Sequence, residues 1–448
     1  MRRWRVVVGA VFLGIVAGPA SGRVAAQQPP PAAEPAKAAP EIRVGVEERF
    51  RLENWDNATD HTAAIDDHRT QARFRTRLWT TVRFGERLSF NVGLNNESKG
   101  QDHPRQPLAL DEIIFESLWL DVMPAASVSM RVGRLNIQKG DGFIFADGTP
   151  GEGSRTIYLN GMDATWRVAP RASLEILVLS DPSHDEYLPV INSTNRLLVE
   201  WEEQLAGLYY TDTRLRGLDA QGYALRKRER HDTRPTTNPR FQPDRSLNVI
   251  GTRLAKVAAS GWTVTGEFAG EFGTEAPDRA IRAWGGYANV RRRWQAPWTP
   301  TLMAGVTALS GDSPSTSTSE QWDPVLSRWP KWSEYYIQSL TPEVGNAYWT
   351  NLKMWQIEAT AAPTPATGLR ATYYHMTAFH PFPGTPTNFG SGLRRGDLLV
   401  TRFDFTANAH LKGHVLYERF LPGSFYTGTA PGYFFRVELT AGWQHTIH

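Results

Sequence analysis

From Glu41 onward the chain alternates. Ile42, Val44, Val46, Phe50 and Leu52 share one parity, interrupted only by Glu48, while Arg43, Glu47, Arg49, Arg51 and Glu53 occupy the other. The next run repeats the pattern, with Phe74, Leu78, Val82 and Phe84 against Arg73, Arg75, Arg77 and Arg83. Successive side chains of an extended strand point to opposite faces, so a period of two predicts strands. Further runs follow at Phe90-Val92-Leu94, Val128-Met130-Val132, Met162-Ala164-Trp166-Val168, Trp262-Val264-Phe268-Phe272 and Tyr433-Phe435-Val437-Leu439. Clusters of Gly, Pro, Asn and Asp separate them, and no long segment sustains the 3.6-residue period of a helix. The pattern predicts an all-β chain.

Three features turn this toward a transmembrane antiparallel β-barrel rather than a sandwich. One face of each run is densely charged, as a polar lumen requires, and the other is apolar, as lipid requires. Aromatics (Trp79, Phe84, Trp119, Trp166, Trp262, Trp284, Trp294 and Trp298) stand near predicted strand ends, where interfacial girdles lie. The N-terminus reads as an export signal. Arg2, Arg3 and Arg5 precede an apolar stretch from Val6 to Ala17, and Val24-Ala25-Ala26 offers a cleavage site, so residues 1–26 are expected to be removed. Residues 27–40 are Pro/Ala-rich and read as a disordered lead-in, leaving 41–448 as the barrel. About 23 residues per strand and connection gives about 18 strands, within the range of such barrels. A β-propeller would show a repeat of 40–50 residues, and none stands out.

Composition narrows the function. The 448 residues include no Cys, which excludes a disulfide scaffold, Cys catalysis and a Cys-ligated metal. The formal charge is +3, but the leader holds four Arg and no acid. Its removal takes 49 basic residues to 45 against 46 acidic, a net of −1, so overall charge gives no case for nucleic acid. Long extracellular loops, or plugs of the lumen, are expected at 99–110, 139–156, 212–245 and 311–346. The third carries Arg214, Arg216, Arg226, Lys227, Arg228, Arg230, Arg234, Arg240 and Arg245, which reads either as a solvated loop or as a patch facing substrate or lipopolysaccharide.

Several motifs resemble the alginate-export family of outer-membrane porins. They are Met130-Arg131-Val132-Gly133-Arg134, then Gly140-Asp141-Gly142 and Asp147-Gly148-Thr149-Pro150, then Ser310-Gly311-Asp312, Trp322-Asp323-Pro324 and Arg328-Trp329-Pro330. The C-terminal part adds Gly392 to Leu399, Gly413 to Glu418, Leu421 to Tyr426 and Phe435 to Leu439. The resemblance spans about residues 41–440. It implies a monomeric 18-stranded barrel in a Gram-negative outer membrane and a passive, charge-lined pore. In that family the best-known task is secretion of an anionic uronic-acid polysaccharide, and periplasmic export or uptake machinery is an expected partner.

Parity names the candidate lumen residues. Guanidinium groups replace part of the hydration lost by an organic anion and fork onto carboxylates, and each contact must stay weak enough for release. The candidates are Arg43, Arg49, Arg51, Arg73, Arg75, Arg77, Arg131, Arg402 and Arg436, with Glu418 and Glu438 among the acids (Glu47, Glu53, Glu267, Asp404) of the same parity. Arg73, Arg75 and Arg77 form the sharpest set. The alternative for any one Arg is an ion pair of the lumen wall with no transport role. No cofactor or catalytic residue is called for. Ser183, His184 and Asp185 are adjacent in sequence, which does not make a triad. His375 and His380 read as loop packing, and a cation held near 140–148 is a minor possibility. The competing classes are a barrel enzyme and a surface receptor or adhesin acting through its loops.

Overall fold

The computed structural model describes residues 40–146, 158–199, 201–231, 244–327, 332–338, 349–382 and 387–447. The expected leader (1–26), the lead-in up to residue 39, the Asp147–Pro150 and Arg328–Pro330 motifs, and Arg234 and Arg240 lie outside the described residues.

The strands are β1 (Glu41–Asp56), β2 (Arg69–Arg83), β3 (Leu88–Gln101), β4 (Gln106–Ala109), β5 (Ile113–Ala125) and β6 (Val128–Leu135). Next come β7 (Leu159–Ala169), β8 (Ala172–Asp181), β9 (Trp201–Asp212), β10 (Leu218–His231), β11 (Arg245–Val257), β12 (Trp262–Glu275) and β13 (Arg279–Arg293). The last are β14 (Thr301–Leu309), β15 (Leu352–Thr364), β16 (Thr367–Thr377), β17 (Arg394–Thr406), β18 (Leu411–Pro422) and β19 (Gly432–Ile447). Each pairs antiparallel with its neighbour, and β1 pairs with both β2 and β19, so the sheet closes on itself. Setting aside β4, a short ribbon folded back on β3, the wall has the 18 strands expected. Closure leaves no open edge, the condition for a sheet in lipid.

Connections at one end are short, as at 84–87, 126–127 and 365–366, and most at the other are long, as at 136–158, 182–200, 310–351 and 378–393. The outer face carries exposed Phe74, Leu78, Val132, Ile176, Leu208, Ile250, Phe268, Leu302 and Ile357. Glu48, the one break in the first apolar stripe, is matched by its neighbour, because Thr76 lies opposite it in register and donates to its carboxylate at 2.6 Å.

Four expectations need correction. Trp79 and Trp119 leave the girdle and turn inward, because they share parity with Arg77 and with Asp121, to which Trp119 donates. Trp166, Trp262, Trp284, Trp294 and Trp298 do face outward, joined by Trp355 and Trp443. The segment 99–110 is largely strand, because β3 runs to Gln101 and β4 folds back upon it. The described part of segment 212–245 is not a loop either. It holds a five-residue turn and all of β10, whose basic run alternates between exposed (Arg226, Arg228, Arg230) and buried (Lys227, Glu229) positions. A dense charge run hid a strand whose two faces both carry Arg or Lys.

The described parts of two long connections, 136–158 and 310–351, fold into the barrel. Ile144, Phe145 and Ala146 of the first, and Trp322, Val325, Leu326, Tyr335 and Tyr336 of the second, are buried with wall residues Tyr209, Tyr223, Leu225, Met354, Tyr374, Leu398 and Phe420. Phe145 and Leu326 form a parallel bridge that ties the two connections together. Trp322 lies against Gly285 of β13, where a Cβ would come within 2.7 Å of the indole, so only glycine admits this approach.

Candidate functional site

Six arginines meet where the first, second and last strands come together. In the β1–β2 register Arg49 stands opposite Arg75 and Arg51 opposite Arg73. In the β1–β19 register Arg51 stands opposite Glu438 and Glu53 opposite Arg436. Like charges directly opposite are destabilising, and carboxylates threaded between them offset the repulsion. Arg49 donates to Glu97 at 3.1 Å and Arg51 to Glu438 at 2.5 Å. Arg73 reaches Glu97 at 2.7 Å and Glu53 at 3.2 Å, and Arg75 reaches Glu47 at 2.9 Å. Arg77 forks onto Glu116, and Arg436 bridges Glu53 at 2.6 Å and Glu334 at 3.0 Å. The expected arginines are therefore together on the inner face, as members of a compensated lattice and not as a bare ladder. Arg49, Arg51, Arg75 and Arg436 are buried, while Arg73 and Arg77 keep partial access.

The remaining candidates lie apart from this lattice. Arg131 pairs with Asp163 at 2.7 Å, Arg402 with Asp404 of its own strand at 2.8 Å, and Arg43 with Glu41 at 3.3 Å. Glu418 is buried and accepts from Ser333 Oγ (2.6 Å) and the backbone N–H groups of Glu334 and Tyr335, so it pins the inward connection to β18.

A second anchor holds the same connection to the opposite wall. Lys227 of β10 lies fully buried within 2.6 Å of Glu229 and 3.1 Å of Asp323, and donates to the carbonyl of Val325 at 2.7 Å. Arg245 joins Glu229 (2.8 Å) and Asp323 (2.9 Å). Burial alone would raise the Asp323 carboxyl, but Lys227 and Arg245 outweigh it and hold it down at about 2.

Between the inward connections and β13–β17 lies a cavity of about 310 Å³. One side is aromatic through Phe143, stacked on Trp322 with centroids 5.2 Å apart and meeting Tyr287 edge-on. The other is aromatic through Trp332, 4.4 Å from Trp349 and 5.4 Å from Tyr374. The polar lining includes Gln356, bonded to Asn289 at 3.0 Å, and Glu358, which lies 3.5 Å from Arg291. Arg370 of β16 also lines it, and among the described residues its guanidinium makes no hydrogen bond or ion pair. Sequence reading missed this residue. The signal was present in its parity, with Leu369, Ala371 and Tyr373 outward and Arg370, Thr372 and Tyr374 inward, but one Arg in a short run does not stand out.

The other candidate chemistries disperse. Ser183 Oγ lies 3.1 Å from His184 Nδ1 and donates to Glu202 at 2.5 Å, while Asp185 is held by Arg134 at 2.6 Å. His375 pairs with Asp397 at 2.7 Å, and Asp141 is engaged by Arg253 and Tyr287. Among the described residues no group of three or more His, Asp or Glu could hold a metal.

Comparison with known proteins agrees with this geometry. A profile of the family described as alginate export matches residues 41–437. No curated protein matches the sequence. Among solved structures, Pseudomonas aeruginosa OccK9 (OpdG) is similar with a TM-score of 0.57 at 11% identity, over 90% of this chain and 98% of that one. P. aeruginosa OccK7 (OpdD) gives 0.56 at 9% identity, over 92% and 100%. P. aeruginosa OpdK, solved with vanillate, gives 0.55 at 10% identity, over 90% and 99%.

Proposed function

The chain belongs to the alginate export family and is a channel-type β-barrel of the Gram-negative outer membrane, and from that premise we propose that it is a passive pore for organic anions, uronate-type sugars or other carboxylates. The observation that carries this reading is Arg370, a cation without a carboxylate partner among the described residues, on the wall of an aromatic cavity. Most other inner-face arginines are neutralised locally, so Arg370 is where an incoming carboxylate displaces only water. A guanidinium forks onto a carboxylate in two parallel bonds, and the facing rings accept a flat ring or the C–H face of a sugar. OpdK, whose structure holds the aromatic carboxylate vanillate, is a fold relative in which a ligand of that size has been captured. The opposed arginines at the seam support the same reading. A local rule broken at a cost in stability is the mark of a site kept for function.

A passive pore sets no direction, so gradients and partners decide between uptake and export. The inward course of the described parts of 136–158 and 310–351 favours a constricted channel over a surface receptor. The experiment is reversal potential across a planar bilayer under a salt gradient, followed by titration with galacturonate, benzoate and acetate as blockers. Anion preference with block by the ring-bearing acids is expected. A cation-selective pore, or one that acetate blocks as well as the larger acids, would overturn the proposal.

A further inference from the structure

The outer face of β10 carries three arginines that the channel reading leaves unused. Arg226, Arg228 and Arg230 are all exposed and alternate with buried Leu225, Lys227 and Glu229. They stand in line on the lipid side of the wall, toward the end with the long connections, at intervals of about 7 Å. Register locates them against their surroundings. Two residues before Arg226, Ala224 lies opposite Leu208 and Ile250, and the row continues to Ile176 and Gly270. Arg226 lies opposite Ala206 and Asn248, in a row that still ends on Val178 and Phe272. Arg228 lies opposite Gln204 and Ser246, and its row runs on through Ser180 and Asn160 on one side and Thr274 on the other. The outer surface thus passes from apolar to polar between Arg226 and Arg228, the height at which lipid headgroups begin.

None of the three donates a hydrogen bond or forms an ion pair among the described residues. Of the acids nearby, Asp244 feels the charge of Arg230 but makes no ion pair with it. Glu202, opposite Arg230, accepts from Ser183, and Asp244 accepts from His231. An Arg on the lipid face of a barrel is costly at mid-membrane and tolerable only near the interface, where an anionic headgroup turns the cost into attraction. We propose that Arg226, Arg228 and Arg230 form a binding site for a phosphorylated glycolipid of the outer leaflet, a lipopolysaccharide. Guanidinium and phosphate pair bidentately. The line spans about 13–14 Å from first to last, so it reaches two separate phosphates of one headgroup, which a phospholipid with one phosphate does not supply.

The proposal stands apart from the solute reading, and its test separates the two. Folded protein in detergent is titrated with lipopolysaccharide, with its dephosphorylated form and with phosphatidylglycerol, and bound lipid is counted by native mass spectrometry. Wild type should bind lipopolysaccharide roughly tenfold more tightly than either of the others. The triple variant R226Q/R228Q/R230Q should lose that preference while its single-channel conductance is unchanged. Arg228→Gln alone should lose about threefold, which keeps the test open should the triple variant fold poorly. Equal binding of the dephosphorylated lipid, equal binding of phosphatidylglycerol, or an unchanged preference in the folded variants would each overturn it.

Discussion

A single buried side chain can decide how a channel responds to its medium. His61, in the connection between β1 and β2, is enclosed by Tyr335, Phe420 and Tyr426, and its Nδ1 lies 3.0 Å from the carbonyl of Asn57. Burial pushes its pKa down to about 4, although Asn57 and Asp67 pull the other way. Its folded value lies below the ordinary 6.5, so its contribution to stability is complete above pH 6.5 and is lost as the pH falls toward 4. Acidification from pH 7.5 to 4 should therefore cost wild type roughly 3 kcal/mol more than His61→Phe, measured by urea unfolding at the two pH values. Equal losses would show that the ring does not set the response. Arg370 gives a second test at this scale. A hydrogen-bonded charge is worth about 1.5–3 kcal/mol, so Arg370→Ala should weaken block by benzoate or galacturonate by about tenfold or more while leaving conductance near its original value. Block that is unchanged would move the anion site elsewhere in the lumen.

At the level of elements, the described parts of connection 310–351 take the inward one of the two courses, extracellular loop or lumen plug, expected of 311–346. They are pinned to one wall through Glu418 and to the other through Asp323. Replacing residues 312–349 by a short Gly/Ser linker should raise single-channel conductance well above wild type. An unchanged step size would mean that another segment limits the current. The elements themselves were largely legible in the sequence. Alternation around Arg49, Arg75 and Arg436 marked their strands and the inward parity of each, because lipid and lumen impose opposite demands on neighbouring side chains. What alternation could not carry was partnership. Arg51 and Glu438 are 387 residues apart in sequence, and nothing local says that closure sets them 2.5 Å apart. Nor could it carry the fold of long connections, whose Trp and Tyr read as loop composition until the barrel supplied a wall. Trp79 shows the converse failure. Its strand was recognised, but its girdle role was inferred from position and not from its parity with Arg77.

On the scale of the whole molecule, the charged seam joins the two ends of the described chain. Arg436→Ala would leave buried Glu53 and partly exposed Glu334 with fewer cations, and breaking a buried pair costs about 3–5 kcal/mol. A loss well below this in urea unfolding would show that Arg73 and neighbouring water take over. The seam also bears on the order of events during assembly. Arg436 and Glu53 are 383 residues apart, so every other hairpin can form before this pair does, with Glu53 then facing Arg73 and Arg436 facing Glu334. Until β19 pairs with it, β1 presents an unpaired ladder, which hydrocarbon rejects. The last ladder and the last ion pairs of the seam are therefore made together, when the ring closes.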